Sequence, residues 1–363
     1  MKQHHIPVVI FFLCALFSNS LNAQKITPAL QTLNIAPDAR SSGMGEVGAA
    51  TTPDVFSQRW NAAKYAFMQD KGGVGVSYVP WLRDIAKDVH LGYLSGYYAL
   101  PQNQSLGASL YFFSLGNISL YNENADYLSS VKPTEFALDL SYSRRFGPNV
   151  SGALTARYIN STVIEGGAGV PYTSHAHNFA VDVAGYWQKP IRLWGKSAEV
   201  AVGVVFSNIG TKLETDGGNA YFLPMNMRIG GRILSAFDDM NSLSLSLDFN
   251  KLLVPEDYKY NDDAVPTAFF RSFSNGLSSS ITSNIGLEYT YNKLFFARAG
   301  FYAEANRLGG RNYLTFGAGL SYSPLTFDVS YLTAVKGQDG VLSNTFKFSL
   351  IFAIKEQNKY KAK

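Results

Sequence analysis

A two-residue period recurs along almost the whole chain, and it constrains the fold more than any other feature. In EFALDLSYS, Phe136, Leu138, Leu140 and Tyr142 share one face of an extended strand, while Glu135, Ala137, Asp139, Ser141 and Ser143 share the other. LSLSLDFN repeats the pattern with Leu243, Leu245, Leu247 and Phe249 against Ser244, Ser246, Asp248 and Asn250. IGLEYTY, LTFDVSY and FKFSLIF follow suit. Some fourteen such segments run from about Gly72, near 72-80, 88-100, 104-118, 133-146, 149-163, 174-188, 197-208, 222-234, 241-250, 282-292, 294-303, 312-322, 325-333 and 343-353. Their connections alternate strictly. Short ones (LPQNQ, FGPN, SAFDDM, Asn292-Lys293, Ser323-Pro324 and the somewhat longer QKPIRLWGK) take turns with long ones near 81-87, 119-132, 164-173, 209-221, 251-281, 304-311 and 334-342. Even strand number, alternating wall residues and two loop classes together describe an all-β transmembrane antiparallel barrel, with short turns on the periplasmic side and long loops outside.

Composition agrees where it bears on this reading. Aromatic residues make up 14% of the chain, charged residues only 16%, and there are 32 glycines. A soluble sandwich also alternates, but seldom carries Tyr and Phe on so many strands. The start MKQHHIP, the apolar run VVIFFLCALF and Ala23 read as a secretory signal over 1-23, cleaved before Gln24. No later apolar run reaches the length of a membrane helix. Cys14, within the signal, is the single cysteine, so no disulfide or thiolate site is expected in the mature chain. The net charge of +4 falls to about +3 with loss of Lys2, too little to suggest a nucleic-acid surface.

Residues 24-71 precede the barrel, 72-354, and are too apolar for a free tail. They are expected to fold into the lumen as a plug, while 355-363 (KEQNKYKAK) read as a short periplasmic tail. Within the plug, GMGEVG fits the dinucleotide spacing G-x-G-x-x-G, but LNIAPDARSS before it is no buried strand, so the context of a nucleotide fold is missing.

The inferred lumen face carries Glu135, Asp139, Asp182, Asp248, Glu288 and Asp328 with Arg157, Arg228, Arg232, Arg298 and Lys347. Mixed signs suit ion-pair bracing better than a charge-selective pore. His175 and His177 share a strand face without a third ligand and read as a wet rim, as does His90. No G-x-S-x-G elbow occurs. No catalytic residue, metal or cofactor is therefore expected. Two external loops expose apolar groups suited to partner docking: PWLRDIAKD with Trp81, Leu82 and Ile85, and the longest loop with Phe269, Phe270 and Phe273 around Arg271.

LNIAPDARSSGMGEVGAATTPD, WNAAKYAF and VSYVPWLRDIAKDVHLGYLSGYY resemble the plug and first hairpin of the PorV family of type IX secretion barrels, itself similar to the FadL fatty-acid transporters. The likeness is strong from Leu33 to Leu100 and weaker in YFFSLG and VKPTEFALDLSYS. The FadL-like signature places a Gly-rich run, an acid and Asn-Pro-Ala at Gly43, Gly45, Gly48, Asp54, Asn61 and Ala63, with Ala62 where proline is usual. This resemblance implies an outer-membrane protein that associates with a very large translocon barrel. It would receive clients bearing a carboxyl-terminal sorting domain and pass them to a surface signal peptidase that attaches them to lipopolysaccharide. It implies no enzyme. The second reading is a FadL-like transporter of hydrophobic small molecules; a general porin is disfavoured by the plug.

Overall fold

The computed structural model describes residues 28-355 apart from 82, 84-85, 123, 168-169, 216-217, 256-259, 275-279 and 336-343. The expected signal, residues 24-27 and tail residues 356-363 lie outside the described residues, as do Leu82 and Ile85.

Fourteen antiparallel strands close into a barrel in chain order. They are β1 (Gly72–Pro80), β2 (His90–Leu100), β3 (Gln104–Ser114), β4 (Thr134–Arg145), β5 (Val150–Gly167), β6 (Val170–Leu193), β7 (Lys196–Gly210), β8 (Asn226–Ala236), β9 (Asn241–Leu252), β10 (Ile281–Tyr291), β11 (Phe295–Glu304), β12 (Asn312–Tyr322), β13 (Leu325–Ala334) and β14 (Thr345–Ile354). Closure is made by β1 on β14, with Val76 opposite Leu350. Sealing the sheet leaves no edge whose N–H and C=O groups would face hydrocarbon.

The faces are those that alternation assigns, and they are inside out relative to a soluble protein. Along β4, Leu138, Leu140 and Tyr142 are exposed while Ala137, Asp139, Ser141 and Ser143 are buried. Leu140 is 61% exposed and its neighbour Ser141 1%, so the apolar side is the one presented to lipid. The same outward apolar positions recur from Val74 on β1 to Phe352 on β14.

All fourteen predicted segments correspond to barrel strands, but several loops differ. The expected external loop at 164-173 is largely strand: β5 and β6 stay paired up to Gly167 opposite Val170. The expected turn QKPIRLWGK is also strand, with Lys189 opposite Val200 and Leu193 opposite Lys196. Only Trp194 and Gly195 turn the chain, both left-handed at φ 50° and 79°, as a two-residue type I′ hairpin requires. Glycine and proline in those stretches suggested loops, but cross-strand pairing outweighed them. Strand β8 starts at Asn226 rather than 222, since Pro224 cannot donate to a ladder. Phe222, Leu223 and Met225 are instead buried at the long-loop end of the barrel. The long loops contain a hairpin (Ile118–Tyr121 with Tyr127–Val131), a two-residue ladder (Leu213–Glu214 with Ala220–Tyr221) and α-helix Val265–Arg271.

Residues 28-71 lie inside the barrel and touch its wall all round. Lys347 of β14 donates to Ala36 O at 2.8 Å, and Ser77 of β1 to Pro37 O at 2.5 Å. Ser151 of β5 donates to Ala63 O at 2.7 Å, and Ser105 of β3 to Tyr65 O at 3.1 Å. The buried apolar core is therefore an interface between this segment and the wall. Leu33 and Phe56 join Val79, Leu91, Tyr93, Tyr111, Phe113 and Ile159; Ala62, Ala63 and Tyr65 join Tyr97, Ala153, Tyr186 and Ala201.

Candidate functional site

The Gly-rich run sits where plug and wall come closest. Asp38 caps the one-turn helix Ala39–Ser42 by accepting from Ser41 N at 2.8 Å, and its other oxygen takes the Trp60 indole N–H at 2.5 Å. The chain then turns through Gly45 at φ +68°. A methyl group on Gly45 would lie 2.6 Å from the backbone oxygens of Ile285 and Phe301, so both the conformation and the space demand glycine. Its N–H donates to Thr315 Oγ1 at 2.8 Å and its carbonyl accepts from Asn284 at 2.5 Å. Gly43 faces Gly317 of β12 so closely that a methyl group on Gly43 would lie 2.9 Å from the Gly317 Cα, and Gly48 lies flat against the Trp60 ring. The N–H groups of Gly48 and Ala49 both point at Asp248 Oδ2, at 2.7 and 2.9 Å. The wall reciprocates with inward glycines: side chains on Gly203, Gly286 or Gly300 would overlap the plug backbone at Ala49, Met44 and Gly45. GMGEVG is thus a packing device: the Gly45 and Gly48 amides are taken by wall side chains, and those of Gly43, Met44, Glu46 and Val47 by the plug's own backbone.

The rest of the motif fixes the plug electrostatically. Asp54 pairs with Arg40 at 2.7 Å; Arg40 grips Glu288 of β10 through two bonds at 2.8 and 2.9 Å. Glu288 also receives Arg298 of β11 at 2.8 Å, which continues to Asp328 of β13 at 2.5 Å. Asn61 donates to Ala49 O (2.9 Å) and to Gly185 O of β6 (3.0 Å), and its oxygen caps the 3-10 helix Ala62–Phe67 through Ala63 N. Ala62 occupies the first position of that helix, where a proline would give up no intrahelical bond, so alanine serves equally well. Ala63 is fully buried. Lys64 is buried too, its ammonium held by Gly48 O and Thr51 Oγ1, both at 2.9 Å; burial lowers its pKa to about 8.

Further inward charges of the wall also pair. Arg157 bridges Asp139 (2.7 Å) and Asp182 (3.0 Å), Arg228 meets Asp248 at 3.2 Å, and Arg232 pairs with Glu199. Glu135 accepts from Thr32 of the plug. Mixed sign in this lumen is ion-pair bracing. His175 and His177 lie exposed on the outer face, where His177 Nδ1 meets the Tyr158 hydroxyl at 2.7 Å; His90 sits between the rings of Tyr78 and Phe112.

The long-loop end carries the docking candidates. Trp81, half-buried, bonds through its N–H to Val89 O at 3.1 Å and packs on the plug cluster around Leu33 and Phe56. The three loop phenylalanines divide. Phe269 and Phe273 pack on Phe222, Met225, Leu253, Val254 and Ala268, whereas Phe270 stands 72% exposed. Arg271 is held by Asp263 at 2.6 Å and lies over the Tyr260 ring. Below these loops is a cavity of about 540 Å³ between plug residues 28-35 and the ends of β8 to β13.

Sequence reading found the glycine motif and the lumen charges but missed Arg40, the most connected plug residue, because an arginine in a loop-like stretch carries no periodic signal. It also missed the wall glycines. They were legible, since Gly286 and Gly300 fall at the lumen phase of their strands.

A closed barrel filled by its own amino-terminal segment, with apolar wall outside and paired charges within, is an outer-membrane β-barrel. The structure is similar to that of the Pseudomonas putida toluene transporter TodX, with 10% identity, TM-score 0.53, and coverage of 92% of this chain and 99% of that one. It is likewise similar to the Ralstonia pickettii toluene transporter TbuX, with 10% identity, TM-score 0.50, and coverage of 88% and 98%. At such identity these show a shared fold alone. No curated protein sequence matches the chain. The profile of the type IX secretion system protein PorV matches residues 18-259, and the chain belongs to that family. It is an outer-membrane component of the type IX secretion system.

Proposed function

We propose that this barrel is a docking platform rather than a conduit. It binds the large translocon barrel, receives clients through their carboxyl-terminal sorting domain, and hands them to the surface signal peptidase for attachment to lipopolysaccharide. The family match over residues 18-259 carries this reading. The geometry supports it: a lumen crossed by Arg40–Glu288–Arg298–Asp328 and packed glycine on glycine is poorly suited to passing a polypeptide, so contact falls to the long-loop surface. There Phe270 is a projecting apolar anchor of the kind that dominates interface energies, with Phe269 and Phe273 holding its helix in place. Trp81 and the loop containing Leu82 and Ile85 form a second docking element. Replacing Phe269, Phe270 and Phe273 with serine should abolish co-purification of the translocon while the barrel still inserts; unchanged co-purification removes the loop from the account.

Transport of hydrophobic molecules is the second reading, favoured by the cavity and by the fold shared with toluene transporters. The paired charges along that cavity count against it.

A further inference from the structure

The cavity at the long-loop end has a composition that selects a ligand class. Among the described residues its charged lining groups are Glu46, Glu304, Arg228 and Arg311, which sum to zero. Both cations are already matched: Arg311 grips Glu304 through bonds of 2.7 and 2.8 Å, and Arg228 meets Asp248 at 3.2 Å and Glu46 O at 2.9 Å. A charged ligand would have to break one of these partly buried pairs or enter uncompensated, and both are costly. An alkane-like ligand would strip water from guanidinium, carboxylate and amide groups without replacing its bonds, which is also unfavourable.

Between the ion pairs lie neutral donors and acceptors. Asn226 and Thr282 stand on the strand ends, and Gln31 and Asn34 come from the plug segment that crosses the cavity. Apolar surface is interleaved with them at Leu252, Val254, Leu332 and the edge of Trp81. Amides and hydroxyls beside aliphatic and aromatic surface, at a volume within the range of small-molecule sites, match a compound bearing many hydroxyls on an apolar ring frame. A neutral peptide segment is the rival occupant. Peptides entering a β-protein are held chiefly by backbone pairing to a free strand edge, and every strand bordering this cavity is already paired on both sides.

We infer that this cavity is a binding site for a neutral saccharide. The site is independent of the secretion reading, because it requires neither client nor translocon.

Purified full-length barrel in a non-glycosidic detergent should be titrated calorimetrically with N,N′-diacetylchitobiose, maltotriose, a neutral tetrapeptide and laurate. Saturable binding of at least one sugar, weakened tenfold or more in Asn226→Leu and in Thr282→Val, is expected. Heat-modifiable gel mobility checks that each variant is folded, and Tyr322→Ser at the opposite rim should bind as the parent does. Electron density for the bound sugar in a soaked crystal should lie against Asn226 and Thr282, a result that needs no variant. Titrating a neutral glycolipid beside its free oligosaccharide head group then separates lipid-linked from free glycan as the source. Binding of laurate or tetrapeptide with neither sugar taken up, or no saturable binding by any probe, overturns the assignment.

Discussion

Arg40 of the plug and Glu288 of strand β10 meet through two parallel bonds, Nε to Oε2 at 2.9 Å and Nη2 to Oε1 at 2.8 Å, 248 residues apart in sequence and both buried. This fork is the most direct tie between the inserted segment and the wall. Its partners Asp54, Arg298 and Asp328 leave neither charge unmatched. Removing Arg40 takes the paired cation from Asp54 and leaves Glu288 with Arg298 alone. Arg40→Met should therefore destabilise the plug by about 3–5 kcal/mol, whereas Arg40→Met with Glu288→Leu should recover part of that loss. Thermal melting in detergent with protease cleavage of the plug as readout checks it, and a double variant no better than the single one would contradict it.

Glycine against glycine is the second tie. Gly300→Ala places a methyl group on the Gly45 backbone and should loosen the plug, while Gly185→Ala, whose added methyl meets nothing within 4 Å, should not. Protease sensitivity of residues 28-71 in the two variants distinguishes them. Equal protection would mean that the wall yields at Gly300.

Lys64 predicts a pH dependence. Its ammonium has only neutral oxygens as direct partners, and burial lowers its pKa from 10.5 to about 8. The native state thus binds this proton less readily than the unfolded chain. The cost of a buried charge is fully present below pH 8 and disappears above 10.5, so this residue's contribution to stability rises with pH across that window, by up to about 3 kcal/mol. Parent and Lys64→Met should differ in the slope of Tm against pH between 8 and 10, with the variant flatter. Identical slopes would show that the lysine is not responsible.

The loop phenylalanines should behave differently from one another. Phe270→Ser removes an exposed ring and should leave Tm unchanged while weakening retention of the translocon. Phe269→Ser opens the buried cluster with Phe206, Met225 and Val254 and should cost about 3 kcal/mol locally, read by hydrogen exchange in helix Val265–Arg271. Translocon retention unaffected by Phe270→Ser would move docking to the Trp81 loop.

The barrel itself was open to sequence reading because its wall obeys one rule: a side chain faces lipid or lumen according to position parity. Leu138 and Asp139, or Leu287 and Glu288, declare their sides without any tertiary knowledge. Loops were less legible. Ile164 to Gly167 and Lys189 to Leu193 contain glycine or proline and look like connections, yet long-range pairing between β5, β6 and β7 makes them strands. The plug was legible as a packed segment, since GMGEVG needs close backbone approach. Its partners were not, because nothing local tells Arg40 that it will meet Glu288, or Gly48 that Asp248 will accept its N–H. The aromatic loop was visible as a cluster, but the division of Phe270 from Phe269 and Phe273 depends on the phase of a seven-residue helix against Phe222 and Leu253.

The secretion role is tested most directly by deleting the gene in its own host and quantifying, by mass spectrometry, proteins with carboxyl-terminal sorting domains in surface and periplasmic fractions. These proteins should vanish from the surface and accumulate inside or keep uncleaved sorting domains. Normal export and processing, together with failed uptake of a hydrophobic nutrient, would contradict it and favour the transporter.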